Sequence, residues 1–70
     1  MDLYTFLDRL IWQCYVYIKI FDLGRNTIVA RGFADDLLTG SLSLILKYNV
    51  ITFCLVDEDS ILINVRLKDK

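Results

Sequence analysis

From Trp12 to Phe21 the side chains alternate with the two-residue period of an extended strand, with Cys14, Val16, Ile18 and Ile20 on one face and Tyr15, Tyr17, Lys19 and Phe21 on the other. β-branched and aromatic residues fill both sets, so this strand asks for cover on both sides. A lone strand cannot persist in water, so the rest of the chain has to supply its neighbours. Asp22, Gly24 and Asn26 are turn residues that tolerate left-handed backbone, and Thr27 to Phe33 reads as a returning strand after a loop of about four residues. Val50 to Val56 and Ile61 to Leu67 form a second β-rich pair around the polar turn Asp57, Glu58, Asp59 and Ser60. On the last run Ile61, Ile63, Val65 and Leu67 alternate with Leu62, Asn64, Arg66 and Lys68, which gives one dry face and one mostly wet one.

Ahead of these hairpins, Leu3, Phe6, Leu7 and Leu10 follow helical spacing behind Asp2 as a capping residue, with Asp8 and Arg9 on the wet side. Residues 2–11 therefore predict a short amphipathic helix, which gains its stability by docking on a sheet. The segment between the hairpins, 34–49, fits two periods. Leu42, Leu44 and Leu46 alternate with Ser41, Ser43 and Lys47 as in a strand, whereas Leu38, Leu42 and Ile45 after Asp35 or Asp36 as a cap fit a helix. Residues 36–48 are thus open between the two, and the fold expected is α+β: an N-terminal helix on a mostly antiparallel sheet of two hairpins, in the order αββαββ. If 36–48 is a strand, a five-stranded sheet or small barrel replaces it.

Seventy residues make one domain, 1–70, with a thin core. Yet 56% of the residues are hydrophobic, more than so small an interior accommodates, so some apolar side chains must cover a surface of the kind that binds a partner or a second copy. The aromatic face of the first strand is the candidate, and Trp12, Tyr15, Tyr17 and Phe21 are its expected interface residues. A formal charge of −1 does not gather phosphate backbone, which disfavours nucleic acid as a partner. Tyr15, Tyr17 and Phe21 with Lys19 among them still resemble the stacking platform of single-strand binders, so a nucleic-acid-binding accessory module is the alternative. Asp8, Arg9, Gln13 and Lys19 interrupt the apolar stretch from Leu3 to Leu23, so neither a membrane span nor a signal peptide is expected. Cys14 and Cys54 are too few for a disulfide framework and read as buried, reduced thiols in a cytoplasmic protein.

Chemistry is poorly served by this composition. The chain has no histidine, which removes Ser-His and Cys-His nucleophile pairs, most zinc sites and the commonest general base. Asp57, Glu58 and Asp59 lack the glycine and the distal glutamate of a calcium loop, and Gly24, Gly32 and Gly40 do not form a phosphate-cradling pattern. No catalytic residue, cofactor or metal ligand is therefore assigned, and the expectation is a protein that is not an enzyme.

The run FLDRLIWQCYVYIKIFD followed by GFADDLL resembles short proteins of bacteriophages and prophages of Firmicutes, a group with no assigned chemistry. The resemblance implies a turn or helix after ADD, with runs such as NVITFCLV and SILINVRL closing the chain. This sequence carries SLSLILKY where those proteins tend to have Pro and Glu. The functional expectation is a non-enzymatic, phage or mobile-element interaction module that acts as a homo-oligomer or as an inhibitor or adaptor of a host protein.

Overall fold

The computed structural model describes residues 1–10 and 16–68. Helix α1 (Leu3–Leu10) is followed by strands β1 (Tyr17–Asp22) and β2 (Thr27–Phe33), helices α2 (Ala34–Gly40) and α3 (Leu42–Ile45), and strands β3 (Tyr48–Asp57) and β4 (Ser60–Leu67). The expected αββαββ order holds, with the middle segment helical and broken once. Trp12, Cys14 and Tyr15, which the sequence assigns to the start of the first strand, lie outside the described residues.

The four strands line up as β2-β1-β4-β3. Both hairpins are antiparallel, and they meet through a parallel pairing of β1 with β4, in which Tyr17 faces Ser60 and Asp22 faces Val65. The sheet is open and does not close into a barrel. All three helices lie on one face, where Leu3 and Leu7 of α1, Ala34 and Leu37 of α2 and Ile45 of α3 pack with Ile18, Ile20, Ile61, Ile63 and Val65 in one core. Strict alternation produces this one-sided burial, since every second residue of β1 and of most of β4 is buried and its neighbours are half-exposed.

Asp2 caps α1 as the sequence implies: its Oδ1 accepts the Tyr4 N–H at 2.8 Å, and its Oδ2 accepts a hydrogen bond from Lys68 Nζ at 2.9 Å. The Lys68 bond first, then the backbone donors, hold the Asp2 carboxyl below its usual range. The ADD stretch behaves differently from expectation. Neither Asp35 nor Asp36 caps α2 with its side chain, because the helix already begins at Ala34 and its capping position is Phe33. The two aspartates instead occupy the first turn, where the positive end of the helix dipole favours them. Between α2 and α3 the chain turns at Ser41, whose N–H donates to the Leu37 carbonyl at 2.9 Å and whose carbonyl accepts from Ile45 at 3.0 Å. Leu42 and Leu46, two members of the apparent strand alternation, are 40% and 47% exposed, while the helical position Ile45 is buried.

Candidate interaction surface

Among the described residues, two surfaces remain uncovered by the helices. The first is the open face of the sheet. Tyr17, Lys19 and Phe21 of β1 lie there half-buried, opposite Phe33, Arg31 and Ile28 of β2 and beside Ser60, Leu62 and Asn64 of β4. The Tyr17 and Phe33 rings meet edge to face at 5.7 Å and 86°, a favourable aromatic geometry that orders this corner. Lys19 and Arg31 are directly opposed, and Arg66 follows Asn64 at the same two-residue period on β4. No residue that β1, β2 or β4 places on this face is acidic, so three cations and three aromatic rings share it.

The second surface is the outer edge of β3. Its residues from Tyr48 to Val56 carry no charge. Phe53 and Leu55 face Ile63 and Ile61 in the ladder and so point to the helical side, yet they are 55% and 75% exposed. Ile51 and Val56, at the two places where the register shifts, are half-exposed. Phe6 of α1 reaches this strip, with its ring 5.0 Å from that of Phe53. Met1, Phe6, Val50, Ile51, Thr52 and Phe53 line a shallow groove of about 460 Å³ along it. The first part of the edge is occupied, because Met1 O accepts the Val50 N–H at 2.6 Å and Asp2 forms an antiparallel bridge to Asn49. Beyond Val50, no backbone group among the described residues pairs with the outer side of β3.

Cys54 corrects the expectation of a buried thiol. It is exposed, because it pairs with Leu62 on the open face and belongs to β3, an edge strand among the described residues. Of the four residues expected at an interface, Tyr17 and Phe21 lie together on the open face, and Trp12 and Tyr15 lie outside the described residues. The β3 strip of Ile51, Phe53, Leu55 and Val56 escaped the sequence analysis. Its signal is the uncharged run NVITFCLV, whose outward positions lack the polar alternation that Asn64 and Arg66 give to β4.

Among the described residues one polar cluster is buried. Asp22, 1% exposed at the end of β1, accepts the Tyr48 hydroxyl at 2.8 Å on Oδ2 and the N–H groups of Gly24 and Arg25 at 2.9 and 3.2 Å on Oδ1. Burial pushes this carboxyl up, but the bonds from Tyr48, Arg25 and Gly24 outweigh it and hold the group below its ordinary value. Burial, then the bond to Asp22, raises the Tyr48 phenol above 10.0. With both carboxylate oxygens bonded to internal donors, the cluster fastens the β1 turn to β3.

No described helix is long and apolar enough to cross a membrane. The arrangement defines an open-faced α+β domain with a bare apolar edge strand. Comparison with protein-family models, curated proteins and solved structures returned no match.

Proposed function

We propose that the chain is a non-enzymatic protein-interaction module that docks through the outer edge of β3, either with a copy of itself or as an inhibitor or adaptor of a host protein in a phage-like setting. One observation carries the reading: an uncharged strand in which Ile51, Phe53, Leu55 and Val56 are each at least half-exposed, beside backbone that no described residue pairs. Natural edges are commonly blunted by lysine or proline, and this one has neither between Tyr48 and Val56. An extended segment added there gains main-chain hydrogen bonds and apolar cover in one step. A reducing cytoplasm suits the exposed Cys54 thiol.

The test is affinity capture from host lysate together with sizing of the purified chain, for the wild type and for Leu55→Lys. The expected result is an association, with itself or with a captured protein, that Leu55→Lys removes while circular dichroism stays unchanged. A wild type that neither self-associates nor captures anything, or a capture indifferent to Leu55→Lys, overturns the reading.

The basic open face favours a second reading, a nucleic-acid-binding accessory module. Like charges directly opposed in a ladder are destabilising, and an anion across Lys19 and Arg31 relieves that cost. This reading predicts binding to a single-stranded oligonucleotide that weakens steeply as salt approaches about 150 mM and is lost in Arg31→Ala. The protein-interaction reading predicts no such binding at that salt.

A further inference from the structure

Resting on the interaction reading above, we infer that the occupant of the β3 edge is a second copy of this chain, paired antiparallel about a two-fold axis through Cys54. Among the described residues, the free part of the edge runs from Ile51 to Asp57, since Met1 and Asp2 occupy the stretch at Asn49 and Val50, and Cys54 is its midpoint. A two-fold axis there sets Phe53 of one copy opposite Leu55 of the other, twice, both on the helical side where Phe53 and Leu55 are now 55% and 75% exposed. Aromatic and aliphatic residues facing each other across strands are stabilising pairs. Shifting the axis to Phe53 pushes Asp57 of each copy against Asn49 of the other, where Asp2 already sits.

The charges select the same arrangement. Asp57, Glu58 and Asp59 form the turn at one end of β3, while Lys47 precedes its other end and Arg66 stands beside Asn49 there. Antiparallel pairing carries each acidic turn to the basic end of the other copy, whereas parallel pairing stacks acid on acid. The other edge of the sheet is less suited to self-pairing, because β2 carries the exposed cation Arg31 near its middle and Gly32 at φ 146°. A closed two-fold contact of this kind uses the same patch twice and leaves one continuous eight-stranded sheet with every helix on one side.

The test uses the full chain in a Cys14→Ala background. Sedimentation of the purified protein is expected to show a monomer–dimer equilibrium, which Leu55→Lys weakens more than about thirtyfold. Glu58→Lys is expected to weaken it about fivefold, and adding Lys47→Glu to restore it. Mild oxidation is expected to yield a covalent dimer through Cys54, since opposed Cα atoms lie about 4.5–5.5 Å apart, within disulfide reach. With Cys54→Ala and Thr52→Cys the two thiols fall about 14 Å apart along the strands, and no link is expected. A chain that stays monomeric at ~100 μM, in a range where specific interfaces of ordinary size are populated, overturns the inference. Equal cross-linking from positions 52 and 54 does so too. A monomer that still captures a host protein through a Leu55-dependent contact overturns this inference alone and leaves the interaction reading standing.

Discussion

Asp22 is the only charged side chain buried among the described residues, and its partners determine what removing any one of them costs. Tyr48→Phe leaves Oδ2 in the core with only the Arg25 guanidinium at 3.9 Å, so we expect a loss of about 1–3 kcal/mol, read as a melting temperature lowered by about 4–8 °C per kcal/mol. The pH dependence follows from the directions of the shifts. The Asp22 carboxyl is held below 3.8, so on acidification the unfolded chain takes up a proton that the native state refuses. Its stabilisation is complete above the ordinary carboxylate range and drains away as the pH falls through and below it. Asp2, lowered by Lys68, adds to the same slope. At the alkaline end the phenol of Tyr48 is raised, so its contribution is full below about pH 10 and is lost as the pH climbs past its native value. Denaturation followed from pH 3 to 11 is expected to give a plateau with two falling limbs, and Asp22→Asn to flatten the acid limb while lowering the plateau. An unchanged acid limb in that variant contradicts the account. Gly32 is a second residue where backbone decides the outcome: at φ 146°, Gly32→Ala meets only Leu37 at 3.9 Å, yet is expected to cost about 1 kcal/mol or more from strain.

At the scale of elements, Gly40 is the weak point of the helical connection between the hairpins. It sits in the last position of α2 without positive φ, and a Cβ added there meets nothing within 4 Å. Gly40→Ala is therefore expected to stabilise the protein by about 0.5–1 kcal/mol in chemical denaturation, by reducing the freedom of the unfolded chain. The same segment shows how far period alone carries. Residues 36–48 satisfied two patterns because Leu42 and Leu46 belong to a helix yet stay outside the core, so their alternation with serine imitates a strand. The N-terminal helix and both hairpins were legible because each rests on contacts close in sequence: the Asp2 cap, the left-handed Asn26 with φ 57°, the acidic turn before Ser60. The open aromatic face of β1 was legible as well, since alternation assigns Tyr17 and Phe21 to one side without any knowledge of neighbours. The β3 strip was not. Whether NVITFCLV lies in the middle of a sheet or at its rim depends on the pairing of β1 with β4, which no local pattern in β3 encodes. The buried-thiol expectation for Cys54 failed for that same reason.

For the molecule as a whole, the proposed pairing of the β3 edge with its own copy ties stability to concentration. Its melting temperature is expected to rise as the protein is concentrated, and Leu55→Lys to abolish that dependence, because an associating partner binds only the folded state. Scanning calorimetry over a hundredfold range of concentration measures it, and a constant melting temperature contradicts it. The parallel pairing of β1 with β4 has a different consequence, one that concerns synthesis. Each hairpin closes locally, but the centre of the sheet joins residues roughly forty positions apart, from Tyr17 with Ser60 to Asp22 with Val65, and such distant pairing slows folding. During translation β1 therefore waits, half of its pairing unmade and Ile18 and Ile20 exposed, until β4 has cleared the ribosome. The arrival of β4, which completes the centre of the sheet, sets the timing of folding.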